Sequence, residues 1–130
     1  MIPIKTRTPH VTILGAIGTV HGQDLLTKVP WLWVTVVVVA PIGEETLLRG
    51  FHFRSWNRSP RDASIAIAVT ALLWAALHVQ DELILQGQVI VIGLAFGWLL
   101  WKTGSTLPTI LMHCLLNGAG MFETVLALRA

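Results

Sequence analysis

The stretch PWLWVTVVVVAPIGEETLLRGFHF, residues 30–53, decides the fold class. In water its run Val34–Val39 would read as a strand, because β-branched side chains pack well on a pleated surface. Pro30 suits a helix start, and Trp31 and Trp33 suit the headgroup belt of a bilayer. In hydrocarbon a segment must satisfy its own backbone hydrogen bonds, so the same run is expected to be helical. Yet this stretch also holds Glu44, Glu45 and Arg49. A charge near the bilayer centre costs roughly 2.5–3.5 kcal/mol even on a lenient insertion scale. Two adjacent glutamates there need a compensating role.

The rest of the chain supports a membrane setting. Of 130 residues, 54% are hydrophobic and 12% charged, with a mean hydropathy of +0.69. Soluble domains carry about a quarter charged residues. Four apolar segments can be drawn: about 30–53, 60–79, 83–101 and 106–128. Each is ~17–24 residues, the length a membrane helix needs. The expected fold is therefore all-α, a polytopic bundle with about four transmembrane helices. Residues 1–28 read as a lead-in, interfacial or partly inserted, and 29–130 as the core. In Ser59-Pro60-Arg61-Asp62, Ser59 reads as an N-cap followed by proline at the first helical position and an acid at the third.

Loop charges set an expected orientation. Arg54, Arg58 and Arg61 lie between the first and second segments, and Lys102 lies between the third and fourth. Asp81 and Glu82 lie between the second and third. The positive-inside bias then turns the first and third loops to the cytoplasm. The net charge of +2 comes with no basic cluster interleaved with aromatics, so a nucleic-acid partner is not expected. A single cysteine, Cys114, excludes an internal disulfide framework and a multi-cysteine metal site.

The informative residues are those a membrane helix should lack. Glu45 and Arg49 are four apart and can pair on one helical face. Glu44 sits about 100° around the helix. It reads either as a general base or as a neutral acid hydrogen-bonded to a neighbouring helix. Trp74 and His78 are also four apart, so the indole can wall one side of the imidazole. His113 and Asn117 repeat that spacing and can both donate into one space, as an oxyanion site requires; interhelical bonding is the plainer alternative. Gly93 and Gly97 form a GxxxG step that suits close helix packing. Cys114 reads as an inert buried thiol, and Glu123 is given no role.

Three of these patterns resemble one family. Glu44-Glu45-Thr-Leu-Leu-Arg49 resembles the EExxxR motif of the type-2 CAAX prenyl protease (CPBP, or Abi) family. Trp74-Ala-Ala-Leu-His78 resembles its FxxxH motif, with tryptophan in place of phenylalanine. His113-Cys-Leu-Leu-Asn117 resembles its HxxxN motif. The three follow the family's order over about residues 29–121, and the ordered set is far more specific than any one motif.

The resemblance implies an intramembrane endopeptidase acting on a peptide or lipidated protein at the bilayer. CAAX-type processing and leader or bacteriocin processing are both open. It implies that Glu44 and His78 activate a water, that His113 and Asn117 hold the oxyanion, and that Glu45, Arg49 and Trp74 support the site. No cofactor is assigned; if zinc takes part, Glu44, His78 and His113 are the expected ligands, although no HExxH signature is present. A non-catalytic interaction or self-immunity protein on the same fold is the alternative, and an ion or proton pathway is a third.

Members of the family usually carry further helices before the first motif. Here about 30 residues precede it, which leaves open a minimal core, a fragment or a homo-oligomer. The small size suggests an integral, multi-pass protein of a prokaryotic cell membrane. One geometric tension remains. At 1.5 Å per residue, Glu44 lies ~15–20 Å and His113 ~12 Å from the cytoplasmic ends of their helices, whereas His78 lies ~27 Å along its own. Tilt or an extended helix start is expected to absorb the difference.

Overall fold

The structure, a computed structural model, describes residues 30–57, 59–78 and 83–129. The N-terminal lead-in, Lys28, Arg58, Asp81 and Glu82 lie outside the described residues. Four helices follow in order: α1 (Trp31–Trp56), α2 (Pro60–Leu77), α3 (Leu83–Thr103) and α4 (Leu107–Arg129). The fold is an all-α bundle, and among the described residues there is no strand. The valine run of α1 is helical, as the demand for internal backbone bonding in lipid requires.

Three of the four helices are long and apolar enough to cross a membrane: Trp31–Trp56, Leu83–Thr103 and Leu107–Ala127. The expected all-α bundle of about four helices is present among the described residues, and three of the four are candidate spans by length and composition. Arg61 and Asp62 occupy the first turn of α2, so its apolar part begins only at Ala63. From there to Leu77 is about 22 Å at 1.5 Å per residue, short of the ~30 Å hydrocarbon core. Large apolar side chains such as Val34, Leu47, Ile65, Val91, Leu115 and Phe122 are exposed on the outside of the bundle. Helices apolar on both inner and outer faces suit lipid as the surrounding solvent. The protein is an integral membrane protein.

Helix α1 is not uniform. Its backbone bonding widens to the π pattern at Thr35–Val39 and again at Thr46–Phe53, on either side of the α-helical turn Ala40–Glu45. Such wide turns insert at sites where a helix departs from regular packing, often functional ones. Pro41 contributes to the first. The Ala40 N–H bonds Thr35 O, and Pro41 has no N–H to offer, so Val36 O receives no donor from the next turn. Asn117 of α4 supplies it, donating from Nδ2 to Val36 O at 2.9 Å.

The caps follow the sequence. Ser59 is extended, and its Oγ accepts from the Asp62 N–H, with Pro60 next in line. Gly104 ends α3 in the left-handed region at φ 66°, with its N–H on Leu100 O at 2.8 Å. Arg54, near the end of α1, donates to Gly104 O at 3.0 Å. The α1–α2 and α3–α4 turns therefore lie on one side, as the loop charges suggest.

Helices α2 and α3 pack through the GxxxG step. A Cβ on Gly93 would lie 3.0 Å from Ala71 Cα, and one on Gly97 would lie 3.0 Å from Ile67 Cγ2. Nearby, Leu48, Trp74, Ala75, Val89 and Phe96 form the main buried cluster.

Candidate active site

Six of the seven motif residues, drawn from α1, α2 and α4, meet inside the bundle. Arg49 and Glu45 are completely buried, and Arg49 Nη1 lies 3.3 Å from Glu45 Oε1. The pairing expected from their four-residue spacing is present. Arg49 Nη2 also donates to Gly93 O on α3 at 3.2 Å. The guanidinium carbon sits 5.3 Å from the Trp74 ring centre and 5.7 Å from that of Phe96. A buried charge is tolerable only when paired and hydrogen-bonded, and these contacts supply most of what Arg49 needs. Glu45 Oε2 and Arg49 Nε have no hydrogen-bond partner among the described residues.

His113 completes this buried layer. It is 3% exposed, with Nδ1 3.0 Å from Glu45 Oε1. Oxygen Oε1 already accepts from Arg49, so it can only accept again, and Nδ1 carries the proton. The other nitrogen, Nε2, is turned toward Glu44 Oε2 at 4.0 Å. The Phe96 and Trp74 rings flank the imidazole at 5.4 and 5.2 Å.

Glu44 and His78 form a second, more open layer, 29% and 30% exposed at their side chains. Trp74 Nε1 donates to Glu44 Oε2 at 2.6 Å, so Glu44 is bonded to a neighbouring helix. His78 Nε2 lies 3.7 Å from the same oxygen. Its Nδ1 lies 2.9 Å from Trp74 O. A backbone carbonyl only accepts, so Nδ1 donates, and in the neutral ring Nε2 keeps its lone pair. The indole walls the imidazole with ring centres 4.9 Å apart, as their spacing suggests. Gln86 of α3 donates to Ala75 O at 2.6 Å and ties down the turn that carries His78.

α2 is helical from Pro60 onward, so no extended start shortens the path to His78. His78 caps α2 after its last helical residue, and its ring folds back onto the carbonyl of Trp74, one turn earlier.

Asn117 stands apart from the others. One of its amide hydrogens braces α4 against Val36 O on α1, which leaves one for another acceptor. Phe96, Pro41 and the carbonyl of Gly93 belong to the site's support and carry no motif signal. Cys114 is half-buried and Glu123 exposed. Among the described residues, no group of three His, Cys, Asp or Glu side chains converges as metal ligands do. A groove lined by Ser55, Trp56, Asp62, Ile65 and Val69 contains none of the motif residues.

The sequence matches the model of one family, the type II CAAX prenyl endopeptidase Rce1-like proteins, over residues 26–119. The chain belongs to this family. The matched region contains all three motifs, from Glu44 to Asn117. The Rce1-like assignment fits a membrane-embedded bundle with polar groups gathered inside it. No curated protein and no solved structure matches the chain.

Proposed function

We propose that this Rce1-like protein is an intramembrane endopeptidase in which Glu44 and His78 activate the attacking water. The observation that carries the reading is the meeting of Glu44 Oε2 and His78 Nε2 across 3.7 Å on the open side of the site. Both are acceptors, and the gap is too long for a direct hydrogen bond and suits one bridging water. A water held there directs its hydrogens at the two acceptors and a lone pair outward.

In the reaction the water oxygen attacks the peptide carbonyl carbon while its proton passes to Glu44, giving a tetrahedral oxyanion. The carbon–nitrogen bond then breaks, and the departing amine takes the proton back. Hydrolysis is complete with no other reactant. General-base assistance of this kind is worth about 10²–10⁴-fold. His113 Nε2 and the second amide hydrogen of Asn117 are the donors for the oxyanion. Donation by His113 requires protons on both ring nitrogens, and Glu45 holds the one on Nδ1. Glu45 and Arg49 fix that ring in place.

The family's chemistry suggests a prenylated C-terminal peptide as substrate, with a leader peptide as the competing class. The test is cleavage of both peptide classes by purified protein in mild detergent, followed by mass spectrometry. Wild type is expected to cut one class, and folded Glu44→Ala and His78→Ala to cut neither. Full cleavage by both variants would overturn the assignment. A wild type that binds without cutting would favour a non-catalytic peptide-binding role.

A further inference from the structure

Trp74 stands where the resembling motif has phenylalanine, and the exchange adds one hydrogen-bond donor. That donor is spent on Glu44 Oε2, at 2.6 Å. Burial of an indole N–H without a partner would be costly, and the Glu44 oxygen is the acceptor that meets it.

The ring has little freedom to aim elsewhere. Trp74 is 4% exposed. Arg49 lies over its face, His113 meets it edge-on, and Phe96 and His78 flank it at 6.0 and 4.9 Å. A Cβ on Gly93 would come within 3.3 Å of Cε3, so the glycine makes room for the ring. The backbone of the same residue holds the other half of the pair, since Trp74 O accepts from His78 Nδ1. One residue thus grips Glu44 by its side chain and His78 by its carbonyl.

We propose that Trp74 is a positioning residue whose indole N–H fixes Glu44 Oε2 opposite His78 Nε2 and so sets the gap between them. A phenylalanine fills the same space and packs against the same rings, but leaves the Glu44 carboxylate to find its own rotamer. The kinetic half of this inference rests on Glu44 acting as the base; the hydrogen bond itself does not.

The experiment has two arms. In the first, Trp74→Phe is compared with wild type by steady-state cleavage. Loss of a hydrogen bond to a charged group corresponds to about a ten- to hundredfold fall in kcat. KM should stay within about twofold, because substrate contacts are unchanged. An unchanged kcat, or a loss confined to KM, would overturn the positioning role.

The second arm needs no activity. In ¹⁵N-labelled protein in micelles, the indole N–H resonance of Trp74 is identified through Trp→Phe variants at the other five of six tryptophans. It should lie downfield and move upfield in Glu44→Gln. A resonance indifferent to Glu44→Gln would overturn the proposal even if Trp74→Phe fails to fold. A Glu44-dependent resonance in a protein that cuts nothing would support the hydrogen bond and count against proteolysis instead.

Discussion

Glu44 and Glu45 are neighbours in the chain and opposites in their surroundings. Glu45 is completely buried, sharing one oxygen between Arg49 and His113. Glu44 is 29% exposed, held by one indole and facing two imidazole nitrogens across wider gaps. A turn of about 100° between successive helical residues is enough to separate them. The inner carboxylate neutralises a buried cation and orients a histidine, while the outer one is left in reach of water. Two glutamates in one membrane helix are tolerated because each has a different compensation.

That contrast can be broken by exchanging which layer is damaged. In the outer layer, Glu44→Gln should lower cleavage by about 10²–10⁴-fold. Its unfolding midpoint in detergent should stay near that of wild type, because a partly exposed side chain is replaced by one of the same shape. A large fall in stability would place Glu44 in the structural layer instead. In the inner layer, Arg49→Met should destabilise the protein by about 3–5 kcal/mol, since it leaves the Glu45 charge buried without its cation. Thermal or denaturant unfolding measures this, and an unchanged midpoint would show that the pair is dispensable.

Smaller effects sharpen the boundary between the layers. Gly93→Ala pushes a methyl against the backbone of Ala71 and the ring of Trp74, and should cost about 1–3 kcal/mol of stability. Part of its effect should appear in kcat, because Gly93 O also receives Arg49. Asn117→Ala removes the donor to Val36 O and should cost about 1 kcal/mol. If the second amide hydrogen serves the oxyanion, cleavage by Asn117→Ala should fall much further than its stability does. Parallel small losses would make Asn117 a brace alone.

Much of the fold was legible along each helix. The Glu45–Arg49 pair, the Trp74–His78 stack and the Ser59 cap all depend on neighbours three or four residues apart, and helical geometry fixes those distances. The glycine step announced close packing because only a missing Cβ allows two backbones so near. The charged first turn of α2 is equally local, because Arg61 and Asp62 directly follow the Ser59 cap and Pro60.

The links between helices could not be read this way. Nothing in the spacing joins Trp74 to Glu44, His113 to Glu45, or Asn117 to Val36 O, pairs separated by 30, 68 and 81 residues. Pro41 gives half of one such link: a proline inside a helix leaves a carbonyl in need of a donor but does not say which residue supplies it.

By itself the sequence determined that the chain is apolar enough for a bilayer, that it is helical there, and which seven residues make up its three motifs. Those properties follow from composition and from periodicities within single segments. Only the tertiary structure decided that the Glu45–Arg49 pair is fully buried, that Glu44 faces the histidines, and which tautomer of His78 leaves Nε2 free. These depend on how one helix is turned and shifted against another. Such registers are set by the packing of glycine, tryptophan and phenylalanine surfaces across the bundle, and local spacing carries no record of them.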